Sequence, residues 1–527
     1  MICGIQAGHE PSVCVLDKDG IVYYNEERKL RRQKNPGGIP YNVIDQLVKK
    51  KLPIEKFITT GYNHNDDASY VSSYLRYKGL LKKNETAFCL YTPHHVSHLF
   101  KAYIDSGFKT ARVFVVDGRG SDWYTKNRHQ TYETTSIYDI TPNSVLCIYK
   151  NLYSSKPLDN EEIDPGYEPD QNKTNEERNP PVINKDTKFN ILSKHDLGHF
   201  YRKVAGKFNF VDEEGKFMGY QSYGTPNKDI DVLDIDNLKL NPDTAASCQK
   251  YFEKTYSKLV KKFKKKNMIF TGGTALNVVN NYKLQKQFKD CNLYFEPLCG
   301  DEGNSIGAAY SVLYERKEKI KPFKNIYIGE KVDDVDESML EDATIKDIIS
   351  LLKEGHVVGL IQGRAEAGPR ALGNRSLLLD PTLISAKEVM NKIKNRENFR
   401  PFACSILEEE ADNYFYMQGV KKTPFMMHAP IAKLKAKKKI PSLIHVDDTC
   451  RVQTINEKDN FVLYKLLKNF KIPVLMNTSF NLAGYPMVET FKDILHMVKN
   501  SSLKYVYFPD YNKILIDDYR KKAYEEK

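Results

Sequence analysis

The sequence predicts an α/β fold in two domains, and three observations carry that expectation. Its 527 residues exceed what one ordinary hydrophobic core organises. Short apolar runs repeatedly end in loops carrying Gly, Asp or His and lead into helical patterns, the order that α/β sheets require. Residues 320–344 interrupt this pattern with Pro322 and the acidic stretch 333–337, so residues 326–344 read as a linker between domains at 1–325 and 345–527.

Residues 2–6, 12–16 and 21–25 read as strands, with Asp17-Lys18-Asp19-Gly20 as a hairpin turn. Gly8, His9 and Glu10 then occupy a strand-to-strand turn, and a charged helix begins at residue 26. Residues 91–108 carry a helix start, with Thr92 as the expected cap and Pro93 in the first turn. His94 and His98 lie four apart on one face of that helix, the spacing of two imidazoles on one metal. Residues 111–116 form a buried-type strand, which puts Asp117 at its C-terminal end, where such sheets gather ligand-binding groups. Residues 268–271 lead into Gly272, Gly273, Thr274, Ala275, Leu276 and Asn277, a turn whose N–H groups suit a phosphate or ligand oxygen. Residues 293–297 lead to Asp301, followed by a small-residue helix at 306–310. Residues from about 150 to 190 are rich in Asn, Asp, Glu, Pro and Lys and read as an exposed insertion, since little there offsets ordering entropy.

The second domain opens with a helix at 345–353 and a strand at 357–362, which delivers G-R-A-E-A-G-P-R-A-L-G-N-R-S over residues 363–376. Arg364, Arg370 and Arg375 fall within twelve residues among glycines, so guanidinium forks sit on a backbone that turns sharply. Lys392, Lys394, Arg396 and Arg400 follow in N-K-I-K-N-R-E-N-F-R-P-F over residues 391–402. This is chemistry for a small, densely anionic ligand. H-V-D-D-T-C-R ends at Arg451, and a strand at 473–476 leads into N-T-S-F-N, which contains Asn477 and Ser479.

Hydrophobic residues at 41% and charged residues at 28% describe a soluble globular chain. No apolar run approaches the roughly 18 residues of a membrane span, and the N-terminus lacks a basic segment followed by an apolar one. Nine cysteines occur singly without Cys-x-x-Cys, which argues against a disulfide framework or a cysteine zinc site and fits a reducing cytoplasm. The net charge of +12, with basic runs at 28–34, 261–266 and 433–439, raises the chance of a polyanionic partner.

Together these motifs resemble the O-carbamoyltransferases of the nodulation-protein, cephamycin and tobramycin type. G-P-R-A-L-G-N-R-S, H-V-D-D-T-C-R and N-T-S-F-N carry the resemblance, with L-G-H-F-Y at 197–201 and E-G-K-F-M-G at 214–219, and it runs through almost the whole chain. Many relatives carry an acidic residue where Tyr485 stands. The resemblance implies a duplicated actin/hexokinase-like (ASKHA) N-terminal domain and a YrdC-like C-terminal domain. It implies that the C-terminal domain forms carbamoyladenylate and pyrophosphate from carbamoyl phosphate and ATP, with Mg(II) accompanying the ATP. The N-terminal domain would then pass the carbamoyl group to an acceptor hydroxyl and leave AMP.

Arg370 and Lys394 would act on carbamoyl phosphate and ATP, with Arg364, Arg375, Arg400, Arg451, Asn477 and Ser479 binding them. Gly272, Gly273, Thr274 and Asn277 would form a nucleotide loop, and His94, His98, Asp117 and Asp301 match the family's metal set. Ligand type alone suits Fe(II), Mn(II) or Zn(II), and the resemblance prefers iron. His9 is the candidate general base toward the hydroxyl. Family acceptors are usually sugars or antibiotics. The charge of this chain adds nucleic acid or a nucleotide, with the hydroxymethyl group of a modified pyrimidine as the natural alcohol. A threonylcarbamoyl-type tRNA-modifying enzyme is a further alternative.

Overall fold

A computed structural model describes residues 1–62, 64–81, 90–158, 161–163, 186–318, 320–322 and 325–517. The chain divides into two compact units: Met1–Arg31, Asn35–Asn277 and Phe288–Ile326 form the first, while Arg32–Lys34, Val278–Gln287 and Tyr327–Lys527 form the second.

The first unit contains one sheet plan used twice. In the first sheet, strands β1 (Ile2–Gln6), β2 (Ser12–Asp17) and β3 (Gly20–Glu26) run as an antiparallel meander, and β4 (Lys56–Thr60) and β5 (Leu90–Tyr91) extend β1 in parallel. The second sheet repeats this order and these directions with β6 (Ala111–Val116), β7 (Gln130–Ile140), β8 (Val145–Tyr153), β9 (Asn267–Thr271) and β10 (Asn292–Phe295). This is the expected duplicated actin/hexokinase-like architecture. The first hairpin closes because the Asp17 carboxylate accepts from the N–H groups of Asp19 and Gly20 at 2.7 and 3.0 Å, the local bonding that suits Asp to turns.

Helix α1 (His94–Ser106) packs against α3 (Asn304–Glu315) and is buried over most of its length. Its start differs from the expected one. Pro93 holds the cap position, Thr92 Oγ1 pairs with Ser311 Oγ at 2.9 Å, and the His94 N–H donates to Ser121 Oγ at 2.9 Å. Partners distant in sequence thus displace the local cap. The two helices meet at Gly307, where a Cβ would lie 1.9 Å from the Ser97 carbonyl oxygen. Gly307→Ala must separate helices that carry site residues. Thermal or denaturant unfolding should show a loss of about 1–3 kcal/mol, the usual cost of overpacking.

The expected insertion at about 150–190 is narrower than the composition suggested. Lys188–Leu192 pairs in parallel with β8, so both ends of that stretch belong to the sheet. Residues 159–160 and 164–185 lie outside the described residues.

The second unit is built on a mixed sheet with β11 (Val358–Ile361), β12 (Arg375–Leu379), β13 (Ala403–Leu407), β14 (Arg451–Ile455), β15 (Val474–Ser479), β16 (Tyr505–Phe508) and β17 (Lys513–Ile516). Its order is Glu341–Asp342, β17, β16, β11, β12, β15, β13, β14. Both faces are covered: Leu377, Leu379, Cys404, Ile406 and Met476 face one apolar core, while Val358, Leu360, Leu378 and Leu475 face another. Such double burial explains the near-continuous apolar strands. The segment expected as a linker departs from that reading: Val332 and Leu340 enter the first of these cores, and Glu341–Asp342 pairs with β17. Two well-placed apolar residues suffice to dock a segment whose average composition is polar. Among the described residues no helix is long and apolar enough to cross a membrane. The eight described cysteines form no disulfide, and Cys89 lies outside the described residues.

Candidate active site

In the first unit, the C-terminal ends of the sheets deliver four side chains to one point. Asp117 follows β6, Asp301 opens the turn before α3, and His94 and His98 project from one face of α1. Their ligand atoms lie within 4.8 Å of one another, and all four residues are buried. His94 Nε2 is 3.2 Å from both Asp117 Oδ2 and Asp301 Oδ1, and His98 Nε2 is 3.6 Å from Asp301 Oδ1. The two imidazoles approach at 3.3 Å between Nε2 atoms. Asn304 Nδ2 stands 3.1 Å from His98 Nε2, and Tyr62 Oη donates to Asp301 Oδ2 at 2.5 Å. His9 reaches the same carboxylate, with Nδ1 3.6 Å from Asp301 Oδ2; its Nε2 meets no hydrogen-bond partner among the described residues.

The carboxylates of this cluster set the charge of their neighbours. Burial alone would lower the pKa of His94, yet Asp301 and Asp117 raise it to about 10. Burial likewise opposes the shift of His9, which a hydrogen bond to Asp301 and the charge of Glu10 carry up to about 9. Asp301 is held well below the usual carboxylate range, against the cost of its own burial, by His94, His9 and His98. Two buried carboxylates thus draw positive charge onto their neighbours, and a divalent ion would supply that charge directly. Two imidazoles and two carboxylates at this spacing fit a transition metal and not a dedicated magnesium cage.

The Gly272–Asn277 loop serves this cluster. Gly272, at φ +84°, crosses the end of β6 so closely that a Cβ would lie 2.5 Å from the Val116 carbonyl oxygen. The Gly273 N–H donates to Asp117 Oδ1 at 2.8 Å, Thr274 Oγ1 donates to Val116 O at 2.7 Å, and Asn277 exchanges hydrogen bonds with Gln249 at 3.1 and 3.3 Å. The Gly273 N–H and the Thr274 hydroxyl, expected to face a nucleotide, instead aim Asp117 and tie the loop to its strand.

In the second unit, cations gather with few counter-charges. Lys394, at the end of α4 (Ala386–Lys394), donates to the Ser479 carbonyl, to Ser479 Oγ at 3.2 Å and to Asn481 O and Oδ1 at 3.0 Å each. Burial and the nearby charges of Arg396, Arg400 and Lys34 push its pKa well down. Arg451 at the start of β14 is shifted the same way by burial, Arg370, Arg396 and Arg400. Arg396 falls to about 9 through burial and Arg400, while Glu397 works in the other direction. Burial is the largest cause in each case and neighbouring positive charge adds to it, an arrangement that a bound anion would relieve.

Both clusters lie within stretches that match one family. The family description "Carbamoyltransferase N-terminus" matches residues 57–241 and 233–310, and "Carbamoyltransferase C-terminus" matches residues 349–513. The chain belongs to the carbamoyltransferase family. An uncharacterized protein of Methanocaldococcus jannaschii is 28% identical over 98% of this chain and 99% of its own length. Nodulation protein NolO of Bradyrhizobium diazoefficiens is 31% identical over 48% of this chain and 51% of its own, and nodulation protein U of Rhizobium tropici is 32% identical over 42% and 39%. A solved structure of full-length HypF in a phosphate- and nucleotide-bound form aligns with 60% of this chain and 56% of its own at 12% identity, with a TM-score of 0.35. The chain is a transferase of carbamoyl groups, and the family does not favour the threonylcarbamoyl-type alternative.

Within this carbamoyltransferase, two arginines of the 363–376 motif take a different place from the expected one. Arg375 is fully buried, and its guanidinium donates to the carbonyls of Gln362, Asn374, Glu330 and Gly363 at 2.8 to 3.3 Å. Arg364 donates to Gly329 O at 2.8 Å and Ile328 O at 2.5 Å. Both clamp backbone and so shape the loop that presents Arg370. Asn477 is fully buried on β15, donating to Ser405 Oγ at 2.9 Å and Gln453 Oε1 at 3.0 Å. Glu366 escaped the sequence reading, although its buried carboxylate accepts from the N–H groups of Leu372, Asn374 and Arg375 at 2.6, 2.9 and 3.3 Å and templates the turn. Tyr62 and Asn304 also escaped it. Asn304 had a signal, three residues beyond Asp301 at a helix start, whereas Tyr62 lies in an unpatterned loop.

Proposed function

We propose that this carbamoyltransferase depends on ATP and works through two half-reactions, one in each unit. The observation that carries this reading is the cationic cluster of the second unit, whose charges depress one another and would be relieved by phosphate groups. There carbamoyl phosphate and water would give phosphate and carbamate. A carbamate oxygen would then attack the α-phosphorus of Mg(II)-ATP, breaking its bond to pyrophosphate and leaving carbamoyladenylate. Arg370, Arg400 and Arg451 would neutralise the phosphates, with Lys394 fixed by the Ser479–Asn481 loop.

In the first unit the acceptor oxygen would attack the carbamoyl carbon, the bond to AMP would break, and the hydroxyl proton would pass to His9 Nε2, whose ring would be neutral once a divalent cation takes up the Asp301 charge that otherwise raises its pKa. His94, His98, Asp117 and Asp301 would hold Fe(II) or another divalent transition metal, which supplies Lewis-acid polarisation of the carbamoyl group when bound. Tyr62 and Gly273 fix the two carboxylates, so the ligands are aimed before a substrate arrives. For the acceptor, the net charge of +12 and its basic runs favour an anionic molecule, with a hydroxymethylated pyrimidine in DNA or a nucleotide as the alcohol of choice.

The test of the adenylation step is pyrophosphate release. Purified protein with Mg(II)-ATP should release pyrophosphate when carbamoyl phosphate is present, and release without it, or none with it, would refute the reading. A neutral sugar alcohol turned over in place of nucleotides would move the acceptor to the small-metabolite class.

A further inference from the structure

Beside the four-ligand cluster, the first unit carries a run of aromatic rings and guanidinium groups of which only Tyr62, through Asp301, has a role in either half-reaction. It begins at Tyr62, whose ring centroid lies 4.9 Å from that of His94. Arg119, two residues beyond Asp117, lies over the Tyr62 ring at 5.7 Å and over the Tyr132 ring at 4.9 Å. Tyr132 and Tyr153 face each other across β7 and β8, with centroids 5.2 Å apart. Tyr153 stacks on His195 at 5.0 Å with an interplanar angle of 21° and meets His199 edge-on at 4.4 Å. His195 precedes helix α2 (Leu197–Lys207) and His199 lies in its first turn, four residues on, so their Nδ1 atoms approach at 3.2 Å. The helix itself is pressed against the metal-side loop: a Cβ at Gly198 would lie 2.1 Å from the Asp117 carbonyl oxygen.

Two features separate this surface from ordinary core packing. Its rings are partly exposed at Tyr132, Tyr153 and His195. Its two guanidinium groups are also open to solvent, with Arg119 at 42% and Arg202 at 43% side-chain exposure. Each is steadied by one carboxylate, Asp122 at 3.0 Å and Asp212 at 2.8 Å, and Arg119 Nε meets no hydrogen-bond partner among the described residues. Burial, together with the charges of His195, Lys203, Arg202 and Arg119, holds the His199 pKa at about 3, so its ring is a neutral one at physiological pH. Neutral aromatic planes interleaved with arginine planes offer a stacking face to a flat ring, and free guanidinium edges take a phosphate. A polycationic acceptor would be repelled by Arg119 and Arg202, and a neutral polyol would add no charge to what Asp122 and Asp212 already give them.

We propose that Arg119, Tyr132, Tyr153, His195 and Arg202 form the acceptor subsite and select a planar base carrying a phosphate, free or within a single strand, with its hydroxyl turned toward His9. This deepens the reading of the first unit as the transfer site and rests on it. Trp123, the single tryptophan of the chain, follows the Asp122 that steadies Arg119, and Lys150 Nζ lies over its ring at 5.0 Å, so indole fluorescence reports on the subsite.

The test titrates the full chain, with ATP saturating, against 5-hydroxymethyl-deoxycytidine monophosphate, the unphosphorylated nucleoside, inorganic phosphate, glucose and a hydroxymethylated single-stranded oligonucleotide. The monophosphate should quench Trp123 saturably. The nucleoside should bind about tenfold or more weakly, as should the monophosphate to Arg119→Gln or Tyr153→Leu, the size of one lost charge-assisted bond or base stack. Tighter binding of the oligonucleotide than of the monophosphate identifies a strand as the source of the ligand, and the reverse identifies a free nucleotide. Equal response to glucose, no response to the monophosphate, or a response that Arg119→Gln leaves unchanged overturns the proposal. The ranking of ligands on the unaltered protein needs no variant to fold. Pyrophosphate release measured on the same preparation separates the two ideas: its loss refutes the two-step reading, whereas intact release without nucleotide binding refutes the subsite alone.

Discussion

Arg451→Met is expected to abolish carbamoyl-phosphate-dependent pyrophosphate release, by about a hundredfold or more, without loss of stability. Its guanidinium is held well below its ordinary pKa by burial and by Arg370, Arg396 and Arg400, so the charged form costs the empty fold free energy. Removing it relieves that repulsion, and the variant should unfold at the same temperature or a higher one, as substitutions at strained functional sites often do. Donors aimed at phosphate charge in a site of low dielectric are each worth factors of about 10²–10³ in rate. Pyrophosphate assays and thermal unfolding on the same protein check both halves. A destabilised Arg451→Met with full pyrophosphate release would show that the residue is structural.

Asp301→Asn should do the reverse, keeping pyrophosphate release and losing transfer to the acceptor by about a thousandfold. Asp301 lies within 3.6 Å of His94, His98 and His9 and accepts from Tyr62, so its carboxylate ties the two α1 histidines to the first hairpin and to Tyr62. The amide keeps the shape but removes the charge that the cluster needs to hold a divalent ion. Elemental analysis should find about one transition-metal ion per unaltered chain and little in the variant. Chelator treatment of the unaltered protein should reproduce the variant's behaviour, and full transfer in metal-free protein would refute the assignment.

Much of this was legible because α/β sheets place polar loops at strand ends, and the sequence writes those loops as Gly, Asp and His after apolar runs. Asp117 and Asp301 could be found that way, and the i,i+4 pair His94 and His98 follows from helix geometry alone. The duplication of the sheet was not legible from spacing, since β1–β5 and β6–β10 share topology without a shared local pattern; it came only with the resemblance. Nor can a motif tell which way a guanidinium points. Arg370 and Arg375 are five residues apart in one motif, yet Arg375 is committed to backbone carbonyls by the turn that Glu366 templates. Thr92 shows the same limit at a helix start, where Ser121 and Ser311, distant in sequence, supply the partners.

The most direct test of the two-step account is a product balance. The protein is incubated with Mg(II)-ATP, carbon-labelled carbamoyl phosphate and a hydroxymethylated pyrimidine nucleotide, and AMP, pyrophosphate and labelled product are counted by mass spectrometry. The account predicts one AMP and one pyrophosphate for each carbamoylated hydroxyl, with carbamoyladenylate accumulating when the acceptor is withheld. Carbamoylated product formed without ATP, or with ADP in place of AMP, would contradict it.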